Sequence, residues 1–198
     1  RDEIFKTLKK YRSILTEKDN LLIYYAGHGT IEPMTQEGYW LPVDAIDNQE
    51  WTWFGNRDLV SQTKTFNAKH IIVIADSCFS GSIFDVKDIE FRGSFEDNNS
   101  DLETVFYNMN RKKTRIAITS GNKELVPDRI DNSIHSPFAT VLIDILNSNN
   151  DVLPAGYLFN EIVITLPKFS KRQTPVYGEF DVAHEKTGDF LFVPLIVR

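Results

Sequence analysis

The sequence has a single cysteine and no long apolar run, and each shortage excludes a class of protein. One cysteine cannot form an internal disulfide or a cysteine-rich zinc site. No apolar stretch approaches the roughly 20 residues of a membrane span, and no signal-peptide pattern is present. Basic residues are in the minority, 22 Lys and Arg against 28 Asp and Glu, so a broad nucleic-acid surface is not expected. We therefore expect a cytoplasmic protein with neither a membrane nor a nucleic-acid partner.

What the chain does contain is the composition of an ordinary globular domain. Its 198 residues are 41% hydrophobic and 25% charged, which suits one domain with one substantial core. Short apolar runs alternate with amphipathic segments, and this order predicts an α/β fold with a mostly parallel sheet. The predicted strands are residues 21–26, 71–75, 115–119 and 190–197, with an extended piece at 40–44. The predicted helices are residues 1–15, 57–65, 137–146 and 158–166.

One segment differs in composition from the rest. Residues 85–104 contain seven acidic side chains, with glycine, asparagine and serine between them, and a basic stretch at 111–115 follows. We predict an acidic mobile loop over about residues 85–112. The plain interpretation of such a charge run is a solvated surface.

Two glycine- and serine-rich turns follow predicted strands and contain a histidine and the cysteine. His28 and Cys78 are 50 residues apart in the sequence. A thiol becomes a nucleophile when a nearby imidazole accepts its proton, and backbone N–H groups of Gly29 and Cys78 could stabilise an oxyanion. A buried structural cysteine and a structural histidine are the alternatives, but the two turns at matching strand ends favour a catalytic pair.

These two turns resemble the catalytic signature of the caspase and metacaspase cysteine peptidases, closest to the bacterial metacaspase-like members. The signature segments are YYAGHG at 24–29 and DSCFSG at 76–81, and residues 38–44, 173–175 and 188–190 also resemble the family. The resemblance implies a three-layer α/β/α fold with His28 as general base and Cys78 as nucleophile. The resemblance also implies that catalysis by this pair needs neither a metal nor another cofactor.

The same resemblance implies a substrate pocket for a basic side chain. Asp76, two residues before Cys78, stands where the family has an acidic pocket residue, and Glu124 stands near a second such position where aspartate is expected. A helix cap for Asp76 and a solvated surface position for Glu124 are the alternatives. We therefore expect cleavage after Arg or Lys rather than after Asp.

Members of this family often process their own loop between the nucleophile strand and the next strand. Basic residues in or beside the corresponding segment are the candidate self-cleavage positions: Arg92, Arg111, Lys112 and Lys113. Some relatives need calcium as an activator, and Glu96, Asp97 and Asp101 offer oxygen ligands without EF-hand spacing.

The resemblance also places a strand, a helix and a second strand before residues 1–15. We expect the domain to be N-terminally incomplete over 1–198 and to associate with an N-terminal fragment of the same protein, because an absent strand would leave residues 21–26 at an open edge. His70, His135 and His184 are predicted at the surface. The expected function is a cysteine endopeptidase. A catalytically idle interaction module and an amidase for non-protein substrates, using the same dyad, are the alternatives.

Overall fold

The structure is a computed structural model that describes residues 1–78, 80–84, 102–122, 134–180 and 188–195. Most of its helices and strands coincide with the apolar patterns of the sequence. The helices are α1 Asp2–Ile14, α2 Asn56–Thr63, α3 Leu102–Arg111, α4 Pro137–Ser148 and α5 Ala155–Thr165, with short 3-10 turns at Glu50–Thr52, Ser80–Ile83 and Leu166–Lys168. The strands are β1 Asn20–Ala26, β2 Gly29–Ile31, β3 Gly38–Trp40, β4 Phe54–Gly55, β5 His70–Asp76, β6 Thr114–Thr119, β7 Leu153–Pro154, β8 Val176–Glu179 and β9 Leu191–Phe192.

A four-stranded sheet in the order β1-β5-β6-β8 forms the centre of the fold. The strands β1, β5 and β6 are parallel, and β8 runs antiparallel to β6. All seven residues of β5 are buried, as its continuous run of β-branched side chains predicts. Because the three parallel strands end at the same edge, the turns that follow them lie together.

Two layers of helices cover this sheet, and alternate residues of β5 point into them. Ile71 and Val73 pack in a core with residues of α1 and α2, whereas Ile72 and Ile74 pack in a second core with α4 and α5. The period of two along a strand produces this division. The predicted mostly parallel α/β fold, with helices on both faces, is confirmed.

Two smaller antiparallel sheets complete the described structure. β2, β3 and β4 form one of them, and β7 pairs with β9 in the other. β2 begins at Gly29, directly after His28, so this small sheet extends from the turn that contains the histidine.

β1 is less buried than the sequence predicts. Its exposure alternates along the strand, and Leu22 and Tyr24 are 45% and 44% exposed. Within the described residues, β5 is the only strand that pairs with β1, so this strand forms one edge of the central sheet. The prediction of a buried strand was therefore right for its parallel pairing and wrong for its burial.

Several other predictions differ from the structure. Residues 102–111, assigned to the acidic loop, form α3, while residues 85–101 lie outside the described residues. The predicted strand 190–197 is short: only Leu191–Phe192 is a strand, and residues 193–195 are not. His70, predicted at the surface, is 1% exposed because its ring packs against Thr114 and Asn110, to which it is hydrogen-bonded.

Candidate active site

The turns after β1 and β5 are joined through their backbones. Ala26 and Asp76, the last residues of the two strands, are register partners. The amide of Gly27 donates to the carbonyl of Asp76 over 3.3 Å, so the pairing continues one residue beyond β1. His28 and Cys78 each follow two residues after one of these strand ends, and the parallel register places their turns side by side.

His28 has a fixed backbone and an exposed side chain. Its carbonyl accepts hydrogen bonds from the Tyr25 hydroxyl at 2.7 Å and from the Leu41 amide at 2.9 Å. Burial raises the pKa of Tyr25 to about 12, so its phenol keeps the proton that it donates. The Tyr25 ring stacks on Trp40 with centroids 4.2 Å apart, and this contact holds the donor in place.

Gly29 packs directly against the cysteine turn. A Cβ atom at this position would overlap the carbonyl oxygen of Cys78 and the hydroxyl oxygen of Ser77. The hydroxyl of Ser77 donates to the Cys78 carbonyl over 3.3 Å. A glycine is needed here because the approach of the two backbones leaves no room for a side chain.

The end of β6 supports the cysteine turn from its other side. Ser120 is fully buried; its hydroxyl accepts a hydrogen bond from the amide of Ser77 at 3.1 Å, and its own amide donates to the carbonyl of Ala75 at 2.9 Å. The amide of Gly81 donates to the carbonyl of Asn122 over 3.0 Å. The turn that contains the nucleophile candidate is thus bonded to both neighbouring strand ends.

A cavity of about 560 Å³ opens beside Cys78. Its wall near the cysteine contains Asp76, Ser77 and Ser136. Further away it is lined by apolar side chains of β1 and α4, namely Leu22, Ala139, Leu142, Ile143 and Leu146. A carboxylate in an otherwise mostly apolar wall is the feature that can select a cationic group.

Asp76 is 8% exposed, and its carboxylate accepts a hydrogen bond from the Ser136 hydroxyl over 2.5 Å. Ser136 is the N-cap of α4, and its Oγ also accepts from the amide of Ala139. A helix cap was the alternative role for Asp76; in the structure the cap of α4 is Ser136, and the Asp76 carboxylate is bonded to that cap. The Ser-Pro pair at 136–137 is a typical helix start that the sequence can predict. Its hydrogen bond to Asp76 could not be predicted in the same way, because the two residues are 60 positions apart.

A family model described as a caspase domain matches residues 1–182, most of the chain. The chain belongs to the caspase-domain family of cysteine peptidases. A comparison with curated proteins gave no match. The crystal structure of protein GSU0716 from Geobacter sulfurreducens is similar to this caspase domain, with a TM-score of 0.56 and 15% sequence identity, covering 89% of this chain and 72% of that one. At this identity the likeness concerns the fold alone.

The basic residues proposed as self-cleavage positions lie far from Cys78 in this caspase domain, or outside the described residues. Arg111 ends α3, and Lys113 precedes β6 and forms an ion pair with Glu17 at 3.1 Å. These residues and Lys112 stand at the amino end of the parallel strands, whereas Cys78 follows the carboxyl end, about 20 Å away along a strand. Arg92 and Glu124 lie outside the described residues.

No group of three or more His, Cys, Asp or Glu side chains that could hold a metal ion occurs in the part of the caspase domain that the structure describes. The proposed calcium ligands Glu96, Asp97 and Asp101 lie outside that part. None of the helices found in the same described ranges is long and apolar enough to cross a membrane.

Proposed function

We propose that this caspase domain is a metacaspase-like endopeptidase that cleaves proteins after Arg or Lys. The observation that carries the proposal is the position of Asp76, whose carboxylate lies in the wall of the cavity that Cys78 also lines. A negative charge in the wall of a cavity attracts a cationic side chain and repels an acidic one, so this cavity favours arginine or lysine over aspartate.

In the proposed reaction, His28 takes the thiol proton of Cys78 and the thiolate sulfur attacks the carbonyl carbon of the scissile bond. The backbone N–H groups of Gly29 and Cys78 stabilise the oxyanion. The imidazolium returns its proton to the leaving amine, and a thioester remains on Cys78. Water then attacks this acyl group with His28 as base, which releases the new carboxylate and restores the thiol. The close packing of Gly29 on the Cys78 turn supports this assignment.

Asp76 also links substrate binding to reactivity. Its negative charge lies two residues from the sulfur, and a nearby anion disfavours the thiolate. A bound guanidinium or ammonium group would neutralise that charge when the substrate is in place. The thiolate is therefore favoured most when a basic side chain fills the cavity.

The experiment uses matched fluorogenic peptides that end in Arg, Lys or Asp, with the wild type, Cys78→Ala and Asp76→Asn, each with and without calcium. We expect turnover of the Arg and Lys peptides, complete loss in Cys78→Ala, and a loss of the basic preference in Asp76→Asn. Cleavage of the Asp peptide with the basic peptides ignored would overturn the pocket assignment. Silence on all three peptides, with Cys78 labelled no faster at near-neutral pH than in a His28→Ala variant, would favour the idle interaction module.

We also propose that the protein cleaves itself. The position of each basic residue determines whether the cut can occur within one molecule or needs a second molecule. Because Arg111, Lys112 and Lys113 stand at the opposite end of the sheet from Cys78, a cut there needs a second molecule. Intact mass measurement over time, for the wild type and Cys78→Ala at two concentrations, tests this proposal. A nick that appears in both proteins, or one at 111–113 whose fractional rate is independent of concentration, would contradict it.

The edge of β1 supports a proposal about a partner. Apolar side chains of β1 line grooves on both faces of the strand, one toward α4 and one toward α1. We propose that an extended apolar strand, expected from an N-terminal fragment of the same protein, pairs with this edge. Residues 1–198 expressed alone should then self-associate in sedimentation experiments. A soluble, cooperatively folded and active monomer would refute the proposal.

A further inference from the structure

Ser136 connects the first turn of α4 to the carboxylate of Asp76. Its single hydroxyl hydrogen is directed at Asp76 Oδ2 over 2.5 Å, while its oxygen accepts the amide of Ala139 at 2.9 Å. The amide proton of the helix, the hydroxyl and the carboxylate therefore form one chain of hydrogen bonds. Each donor in such a chain strengthens the next, and the positive end of the helix dipole adds to the effect.

This arrangement acts on the orientation of the carboxylate as well as on its charge. Asp76 is the last residue of β5, so its backbone is fixed by the sheet, and the bond from Ser136 to Oδ2 restrains the rotation of its side chain. Both residues line the cavity beside Cys78. The charge of Asp76 also affects Tyr24, which lines the same cavity: burial raises the pKa of Tyr24 to about 12, and the negative charge of Asp76 adds to that shift.

We propose that Ser136 is a positioning residue that sets the preference of the cavity for arginine over lysine. This inference rests on the proposed function. A guanidinium is planar and binds a carboxylate through two parallel hydrogen bonds, so it requires a carboxylate whose plane is held. An ammonium is a compact charge with rotatable donors and tolerates a carboxylate that turns. Loss of the Ser136 hydroxyl should therefore affect arginine substrates more than lysine substrates.

The decisive variant is Ser136→Gly, because glycine replaces serine at an N-cap with little loss of helix stability. We expect kcat/KM for the Arg peptide to fall about tenfold, mostly through KM, which is the loss typical of one hydrogen bond to a charged group. The Lys peptide should lose much less. Ser136→Thr keeps the hydroxyl and should restore the preference for arginine.

Two further measurements separate positioning from stability. The rate at which iodoacetamide alkylates Cys78 should be nearly the same in Ser136→Gly and the wild type. The free energy of unfolding in urea should fall somewhat, because a buried carboxylate loses a donor, but a fall in stability alone would lower turnover of the Arg and Lys peptides equally. Equal losses for the Arg and Lys peptides, in step with a fall in stability, would show a purely structural role and overturn the inference. Unchanged kinetics in Ser136→Gly would overturn it too, while the proposed function would stand. If the wild type cleaves neither basic peptide, the proposed function fails and this inference fails with it.

Discussion

Replacing Gly29 by alanine should lower peptide turnover more than it lowers the stability of the fold. The added Cβ would overlap the backbone carbonyl of Cys78 and the Ser77 hydroxyl, and the carbonyl of Tyr39 lies 3.2 Å away on another side. Gly29 cannot retreat, because it is a register partner of Trp40 in the small sheet. One of the two turns must therefore move by about 1 Å to reach ordinary contact distance.

Overpacking of this kind costs about 1–3 kcal/mol of stability. A displacement of about 1 Å at a reacting group can lower the rate by about 100-fold, and this larger effect is the expected one for Gly29→Ala. Urea unfolding measures the first quantity. Turnover of the Arg peptide, together with alkylation of Cys78 by iodoacetamide, measures the second.

Gly156→Ala provides the matched control for this prediction. At that position in α5 the nearest atom to an added Cβ is Asp189 Oδ2, at an ordinary contact distance of 3.5 Å. Alanine in a helix is favoured over glycine by up to about 1 kcal/mol, so this variant should be at least as stable as the wild type and equally active. If Gly29→Ala were as stable and as active as Gly156→Ala, the packing of Gly29 on the Cys78 turn would be refuted.

Two further predictions concern buried charges away from the cysteine. Burial raises the pKa of Asp189 to about 6, so the folded state binds this proton more tightly than the unfolded chain. The stability that the protonated Asp189 contributes is fully present below about pH 4 and is lost as the pH rises through about 6, a fall in the free energy of unfolding of at most about 3 kcal/mol. Urea unfolding at several pH values should show this fall in the wild type and not in Asp189→Asn. The same pH profile in both proteins would contradict the prediction. Arg115→Lys should lower stability by about 2–3 kcal/mol, because one ammonium cannot serve all the carbonyls that the buried guanidinium reaches, and equal stability would contradict it. Those carbonyls belong to Phe66, Ala68, Lys69 and Thr114.

The parts of the fold that the sequence predicts are those whose physical cause is local. The run at 71–75 is β-branched and continuous, and it forms a strand that is buried on both faces. The helices at 57–65 and 137–146 follow from their apolar spacing, and α4 has the Ser-Pro start of a capped helix. The turns at His28 and Cys78 are also predicted locally, because glycine- and serine-rich segments follow the apolar runs directly.

The features that sequence reasoning missed depend on partners far away in the chain. The strands β2 and β3 have three residues each and are stabilised by pairing with each other, so β2 left too short a pattern to detect. The extended piece predicted at 40–44 overlaps β3 only at Trp40. His70 is buried because Thr114 and Asn110, 44 and 40 residues away, provide its hydrogen bonds. In the same way, nothing near Asp76 in the sequence indicates that a serine 60 residues later holds its carboxylate.

The pairing of β5 with β6 has a consequence for a chain that is cut between residues 85 and 101. One piece would carry β1 and β5 and the other β6 and β8, yet six register pairs would still connect them. The guanidinium of Arg115 on the second piece would continue to bind main-chain carbonyls on the first, and Ile72 and Ile116 would remain in one core. The nicked protein would therefore be a heterodimer whose interface is the interior of a single domain. It would migrate as one particle under native conditions and separate into two chains only in denaturant.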